Sequence, residues 1–228
     1  MIGVIGGTGL KHNMLVGDAD PVEVETPYGT VSLRMADDFC FLPRHGLGHE
    51  TPPHRIEHRA NLKALESVGV ADVIGVSSVG GLREEFRPGS IVVPSDYIDF
   101  SSHVTFFDGE VRHVTPGFDG ELRGRIISAS ARAGVKVTDG GVYVQTRGPR
   151  LETKAEVAFL GGFADVVGMT VGSEATLAGE LGLKYACVCS VDNYANGVGG
   201  GRLDFADIVL KAGANADRIV SLIRGLLE

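Results

Sequence analysis

An α/β fold with a mixed sheet is what this sequence predicts, and three observations predict it. Short apolar, β-branched runs alternate along the chain with stretches whose apolar residues recur at helical spacing. The early strands follow one another across tight turns, as hairpins do, so the sheet is not purely parallel. No linker, repeat or low-complexity stretch divides the 228 residues, and one domain over residues 1–228 is expected.

The elements follow in order. Residues 2–5 are an apolar strand. Residues 22–25, 31–35 and 39–42 read as strands joined by turns at Pro27-Tyr28-Gly29 and Asp37-Asp38. Leu62, Leu65 and Val68 mark a helix over 58–68, and apolar runs at 72–76 and 91–93 read as buried strands. Residues 101–118 carry Ser, His, Phe, Gly and Pro without a period and are expected to be irregular. A helix over 122–133 is stopped by Gly134. Residues 142–145 form a strand, and the Thr153-x-x-Glu156 capping pattern opens a helix over 153–160. A strand at 166–169, a helix at 175–181 and a strand at 185–191 come next. Phe205, Ile208, Val209, Ala212, Ile219, Val220, Ile223 and Leu226 give a long amphipathic helix, with a break expected near Gly213.

Composition narrows the function classes. Hydrophobic residues make up 43% and charged residues 22%, as in ordinary globular proteins. The net charge of -8 argues against nucleic acid or an anionic membrane as the main partner, although a few local cations suffice for one phosphate. No stretch approaches membrane-spanning length, and the start MIGVIGG lacks the features of a signal peptide, so the cytoplasm is the expected location. Cys40, Cys187 and Cys189 sit in apolar runs and are expected to be reduced and buried. Cys187 and Cys189 share one strand and are expected on opposite faces, which argues against a metal site there. The 33 glycines are about twice the usual share, as positions of special geometry or close approach to a ligand require.

Four segments carry chemistry. Gly6-Gly7-Thr8-Gly9 follows a strand, and its N–H groups and the Thr8 hydroxyl suit a phosphate. A dinucleotide fingerprint and a plain tight turn remain open readings, although residues 10–21 are too broken for the crossover helix a dinucleotide site needs. In Pro43-Arg44-His45-Gly46-Leu47-Gly48-His49, Arg44 offers a planar fork for phosphate oxygens and His45 a second donor; a polar loop with a surface Arg is the plainer alternative. Neither His54 nor His58 has a metal-binding pattern around it. Ser77 and Ser78 are expected at the carboxyl end of a strand, where open α/β sheets bind ligands, or in a simple Ser/Gly turn. Glu152 precedes a capped helix, where a negative charge is favourable in any case, and Asn193 follows an apolar strand, where a turn-forming Asn is common.

Taken together, GVIGGTGL (3–10), PRHGLGH (43–49), PPHRIEHRANLKAL (52–65), SSVGGLREEFRPGSIVVPSDYIDF (77–100), GPRLETKAE (148–156) and VVGMT (166–170) resemble the trimeric purine nucleoside phosphorylase and methylthioadenosine phosphorylase family. The resemblance implies a single-domain, three-layer nucleoside phosphorylase fold, a mixed twisted sheet flanked by helices. It implies that Thr8, Arg44, His45, Ser77, Ser78 and Thr170 bind phosphate. Met169 would lie against the ribose, and Glu152 and Asn193 would read the purine, with His45 joining them in catalysis. The partners it implies are a purine nucleoside and phosphate as co-substrate, with no metal or organic cofactor. A homotrimer, or a dimer of trimers, is implied, with His113 donated into the neighbour's site.

Within that resemblance, the family's adenine-preferring members carry Asp at the Asn193 and Ala195 positions. Asn193 can donate to a 6-oxo group and Glu152 can accept from N1–H, so a 6-oxopurine is expected. No His follows His113, and Leu203 and Phe205 could wall a methylthio group, so S-methyl-5′-thioinosine is the expected substrate. Inosine or guanosine, then methylthioadenosine, are the alternatives. Leu151 stands where the family usually has Phe, and Asp192, where Thr is common, is expected to add a charge near the base. Other classes carried forward are a nucleotide-cofactor oxidoreductase, a nucleosidase using water, and a non-catalytic purine-binding protein.

Overall fold

The computed structural model describes residues 1–7, 9–10, 13–17, 20–199 and 205–227. Strand β1 (Ile2–Gly6) lies between parallel neighbours β4 (Phe39–Pro43) and β5 (Asp72–Gly81). Beyond β4, the hairpin of β2 (Pro21–Thr26) and β3 (Gly29–Met35) forms the antiparallel edge, as the closely spaced early strands predicted. On the other side of β5 runs β11 (Lys184–Tyr194), parallel to it from Lys184↔Asp72 to Tyr194↔Gly81. Strand β6 (Ile91–Val93) pairs with β11 and with β8 (Thr138–Asp139). Strand β10 (Val166–Gly168) joins the far end of β5 antiparallel and continues the sheet to β9 (Val142–Gln145) and β7 (Asp96–Asp99).

Helices cover both faces. Helices α2 (His58–Ser67) and α5 (Val171–Leu181) bury Leu62, Leu65, Leu177 and Ala178 against Val73, Cys187, Cys189 and Val191. Helices α3 (Gly120–Arg132) and α6 (Phe205–Leu227) bury Leu122, Ile126, Ile219 and Leu222 against Ile74, Val76, Ala186 and Val188. Adjacent residues of β5 and β11 thus serve opposite cores, the period of two that a pleated strand requires. With both faces covered, the central strands are nearly continuous apolar runs. Each fully buried Leu or Ile contributes about 1.5–3 kcal/mol. A short helix α1 (Asn13–Val16) packs near α6, and α4 (Lys154–Leu160) carries the expected capping box between Thr153 and Glu156.

Four expectations are corrected. Strand β5 does not stop at Val76 but continues to Gly81, because β11 pairs along its whole length. Ser77 and Ser78 therefore lie inside a strand, not at its end. Helix α5 begins at Val171 rather than Ala175. Its opening N–H groups are met from outside: Tyr143 Oη accepts from Thr170 and Val171, and Gln145 Oε1 accepts from Ser173 at 3.1 Å. Helix α6 runs unbroken through Gly213, whose helical cost of about 1 kcal/mol is outweighed by the helix's packed apolar stripe. Cys187 and Cys189 face the same way, since side chains two apart on a strand share a face; their Sγ atoms are 3.9 Å apart, and all three cysteines are buried free thiols.

Candidate active site

The sheet forks along β5. Strand β1 leaves β5 after Gly75, and β10 joins only at Gly80. Between those points a cavity of about 450 Å³ opens. The end of β4, the middle of β5, the end of β10 and the end of β11 all reach it, so motifs far apart in sequence converge. A divergence of strand neighbours is where open α/β sheets place ligands.

Arg44, His45, Ser77, Ser78 and Thr170 line one part of the cavity, together with Met169; Leu151, Glu152, Asn193 and Ala195 also line it. The structure thus brings together ten of the residues singled out by sequence. Thr8 and Leu203 lie outside the described residues. His113 is exposed on the irregular 101–118 stretch and does not line the cavity of its own chain. His49, Glu50, Thr51 and Pro53 also line it. They fall inside or beside the 43–49 and 52–65 blocks, but nothing in their types singled them out.

Arg44 is not a surface residue; it is only 3% exposed. Its fork is occupied from behind by Glu174 on α5, with Nε to Oε1 at 2.5 Å and Nη2 to Oε2 at 3.0 Å. Nη1 donates to the Val76 carbonyl at 2.6 Å, on the stretch of β5 between its pairings with β1 and β10. Of the fork, one N–H on each terminal nitrogen remains. Gly7 makes room for this group, because a Cβ there would stand 2.5 Å from Nη1.

One donor of His45 is committed within the protein. Its Nδ1 lies 2.8 Å from the Thr51 carbonyl, which can only accept, so Nδ1 carries the proton. Burial, and then the Arg44 charge, push the ring's pKa down to about 4. A neutral ring with Nδ1–H committed has Nε2 as an acceptor.

Glu152 is buried, and its Oε1 accepts from Thr146 Oγ1 at 2.6 Å, which leaves Oε2 to receive a further donor. Asn193 uses one amide N–H on the Tyr194 carbonyl at 2.8 Å and keeps a second. The Met169 sulfur sits against Gly148, whose φ of +64° and close approach both demand glycine: a Cβ there would collide with Sδ. Thr170 forms the N-cap position of α5 with no side-chain cap bond of its own.

Asp192 was expected to add charge near the base, but its carboxyl does not line the cavity. A register shift between Val191 and Asn193 sets it apart from its neighbours. Ser190 Oγ donates to Oδ1, Asn215 on α6 donates to Ser190 Oγ at 2.9 Å, and Oδ2 has no partner among the described residues. Burial raises the pKa of Asp192 to about 6, opposed by the Ser190 hydroxyl.

Among the described residues, only the four-residue α1 is helical between β1 and β2, too short for a dinucleotide crossover helix. A model of the phosphorylase superfamily matches residues 1–228. The chain belongs to the phosphorylase superfamily. It is 49% identical over 228 residues to a "Probable 6-oxopurine nucleoside phosphorylase" of Archaeoglobus fulgidus, covering 98% of this chain and 94% of that one. It is 37% identical to a "Probable S-methyl-5'-thioinosine phosphorylase" of Methanocaldococcus jannaschii, covering 100% and 92%. A solved methylthioadenosine phosphorylase from an antarctic soil metagenomic library superposes with a TM-score of 0.84 at 32% identity, covering 99% and 84%. This superfamily member is an enzyme of the nucleoside phosphorylase, pentosyltransferase type. Among the described residues, no helix is long and apolar enough to cross a membrane.

Proposed function

We propose that this chain catalyses phosphorolysis of a purine nucleoside, and that its preferred substrate is S-methyl-5′-thioinosine, giving hypoxanthine and 5-methylthioribose 1-phosphate. The observation that carries this reading is the single cavity in which Arg44, Ser77, Ser78 and Thr170 meet Glu152 and Asn193. A purine-binding protein would need only the last two, and a nucleosidase would need no anion subsite.

In this reading the remaining Arg44 N–H groups and the hydroxyls of Ser77, Ser78 and Thr170 hold phosphate, and His45 Nε2 accepts its P–O–H. The glycosidic bond breaks first, phosphate stabilises the cationic sugar, and then captures it. The base gains negative charge as it leaves. The free Asn193 N–H donates to the purine N7 and O6 edge and binds that charge more tightly in the transition state than in the ground state. Glu152 Oε2 accepts from N1–H, a proton that hypoxanthine and guanine have and adenine lacks. The half-exposed, apolar Leu151 at the cavity rim suits a methylthio group better than a hydroxyl. Broad cleavage of inosine and guanosine is the second reading, favoured by the names of several relatives.

Assembly as a homotrimer is part of the proposal. Phe100 and Val111, the latter two residues from His113, are almost fully exposed, apolar surface that a neighbouring copy would cover. Sedimentation reads this directly, and a monomer at full activity would remove it. The reaction itself is tested by base release from methylthioinosine, methylthioadenosine, inosine and guanosine, each with and without phosphate. Phosphate-dependent release fastest from methylthioinosine is expected. Fastest release from methylthioadenosine would overturn the roles of Asn193 and Glu152, and release without phosphate would overturn the reaction.

A further inference from the structure

Glu174 is fully buried in a helix whose other core residues are small or apolar, VGSEATLAGEL. A buried carboxylate needs compensation, and Glu174 has it from two sides. Arg44 gives it a two-point contact, and Tyr185 Oη donates to Oε2 at 2.7 Å. The buried His58 ring lies behind, with Nδ1 3.9 Å from Oε1. The Arg44 pair holds Glu174 below its ordinary carboxylate range despite burial. Arg44 is therefore neutralised and clamped, with its two remaining terminal N–H groups set by Glu174 and the Val76 carbonyl, not by the loop it sits on.

We propose that Glu174 is a positioning residue for the anion subsite: through Arg44 it fixes the donor geometry offered to phosphate and cancels the guanidinium charge. This rests on the phosphate subsite proposed above. Phosphate is then recognised by directed N–H and O–H donors, without a net positive pocket, because His45 is neutral and Glu174 offsets Arg44. Directed donors tolerate little displacement, since a misplacement of about 1 Å can cost on the order of 100-fold.

The test is titration of the full chain with inorganic phosphate by calorimetry, alongside steady-state KM for phosphate and for nucleoside. Glu174→Asp keeps the charge but shortens the side chain by one methylene, so it cannot keep both contacts to Arg44. The expected result is a phosphate Kd and KM raised about tenfold or more, with nucleoside KM within about threefold of wild type. A folded Glu174→Asp protein whose phosphate Kd stays within about twofold would overturn the proposal. Should that variant not fold, Tyr185→Phe decides: it removes only one of the two donors that hold Oε2, and a phosphate KM raised about threefold is expected, while an unchanged KM overturns the proposal. Wild-type protein that binds phosphate without phosphorolysis would sink the proposed reaction but leave this inference standing. Wild-type protein that does not bind phosphate would sink both.

Discussion

Asp192 makes a pH-dependent stability prediction that can be worked through. Burial holds its carboxyl at a pKa of about 6, against an ordinary 3.8. The folded chain therefore keeps a proton that the unfolded chain releases between those values. Below pH 3.8 both states are protonated and there is no penalty. As pH rises from 3.8 to about 6 the penalty grows, and above that it is complete at about 3 kcal/mol, from about 1.36 kcal/mol per pH unit. About 2 kcal/mol of this builds between about pH 4.5 and 8. An amide in place of the carboxyl would carry no such penalty and could still accept from Ser190. For a chain of this size, 1 kcal/mol moves Tm by about 2–4 °C. The Asp192→Asn variant should thus gain about 4–8 °C on wild type between about pH 4.5 and pH 8. Scanning calorimetry of both proteins at one concentration reads this difference. Tm curves that stay parallel across that range would refute the buried, protonated carboxyl.

Three other outcomes are expected. Asn193→Asp should shift selectivity from 6-oxo toward 6-amino bases, with kcat/KM for methylthioinosine falling roughly 100-fold or more; unchanged selectivity in a substrate panel would remove Asn193 from base reading. His45, with its pKa at about 4, should show flat imidazole resonances from about pH 5.5 to 8 by NMR, and a titration inside that window would contradict the neutral acceptor. Thr153→Ala deletes the N-cap of α4, whose Oγ1 accepts from Glu156 N–H at 3.2 Å. It should cost about 1 kcal/mol, or about 2–4 °C in Tm, and an unaltered Tm would show that the cap contributes nothing.

Much of the fold was legible because its signals are local. Thr153-x-x-Glu156 and Gly134 mark helix boundaries through chemistry that acts within about four residues. The start of α5 was hidden because Tyr143 and Gln145, on another strand, supply its cap. The length of β5 was hidden because Ser77 to Gly81 owe their strand conformation to β11 and β10 rather than to β propensity. At the site, ten of the residues that line the cavity could be read from the motifs. What lies behind them could not: Glu174 holds Arg44 from 130 positions away. Its one sequence signal is an acid set among the small residues of VGSEATL, which asks for a partner without saying which. The tie from His45 Nδ1 to the Thr51 carbonyl was hidden for a similar reason, since only the fold brings that carbonyl to the ring.

The shared register of β5 and β11 sets a fixed ruler. Ser77 and Ser78 pair with Cys189 and Ser190, and Asn193 pairs with Gly80 only after one residue is skipped. The separation between hydroxyls at one end and the amide at the other is thus written into two central strands buried on both faces. Diversification by drift would find that spacing hard to alter without unravelling the sheet, whereas a rim residue such as Leu151 can be exchanged freely. Lineages built on this scaffold should therefore keep one anion-to-base distance and vary the tail of the sugar, so a change of 5′ preference is an easier evolutionary step than a change in the kind of molecule cleaved.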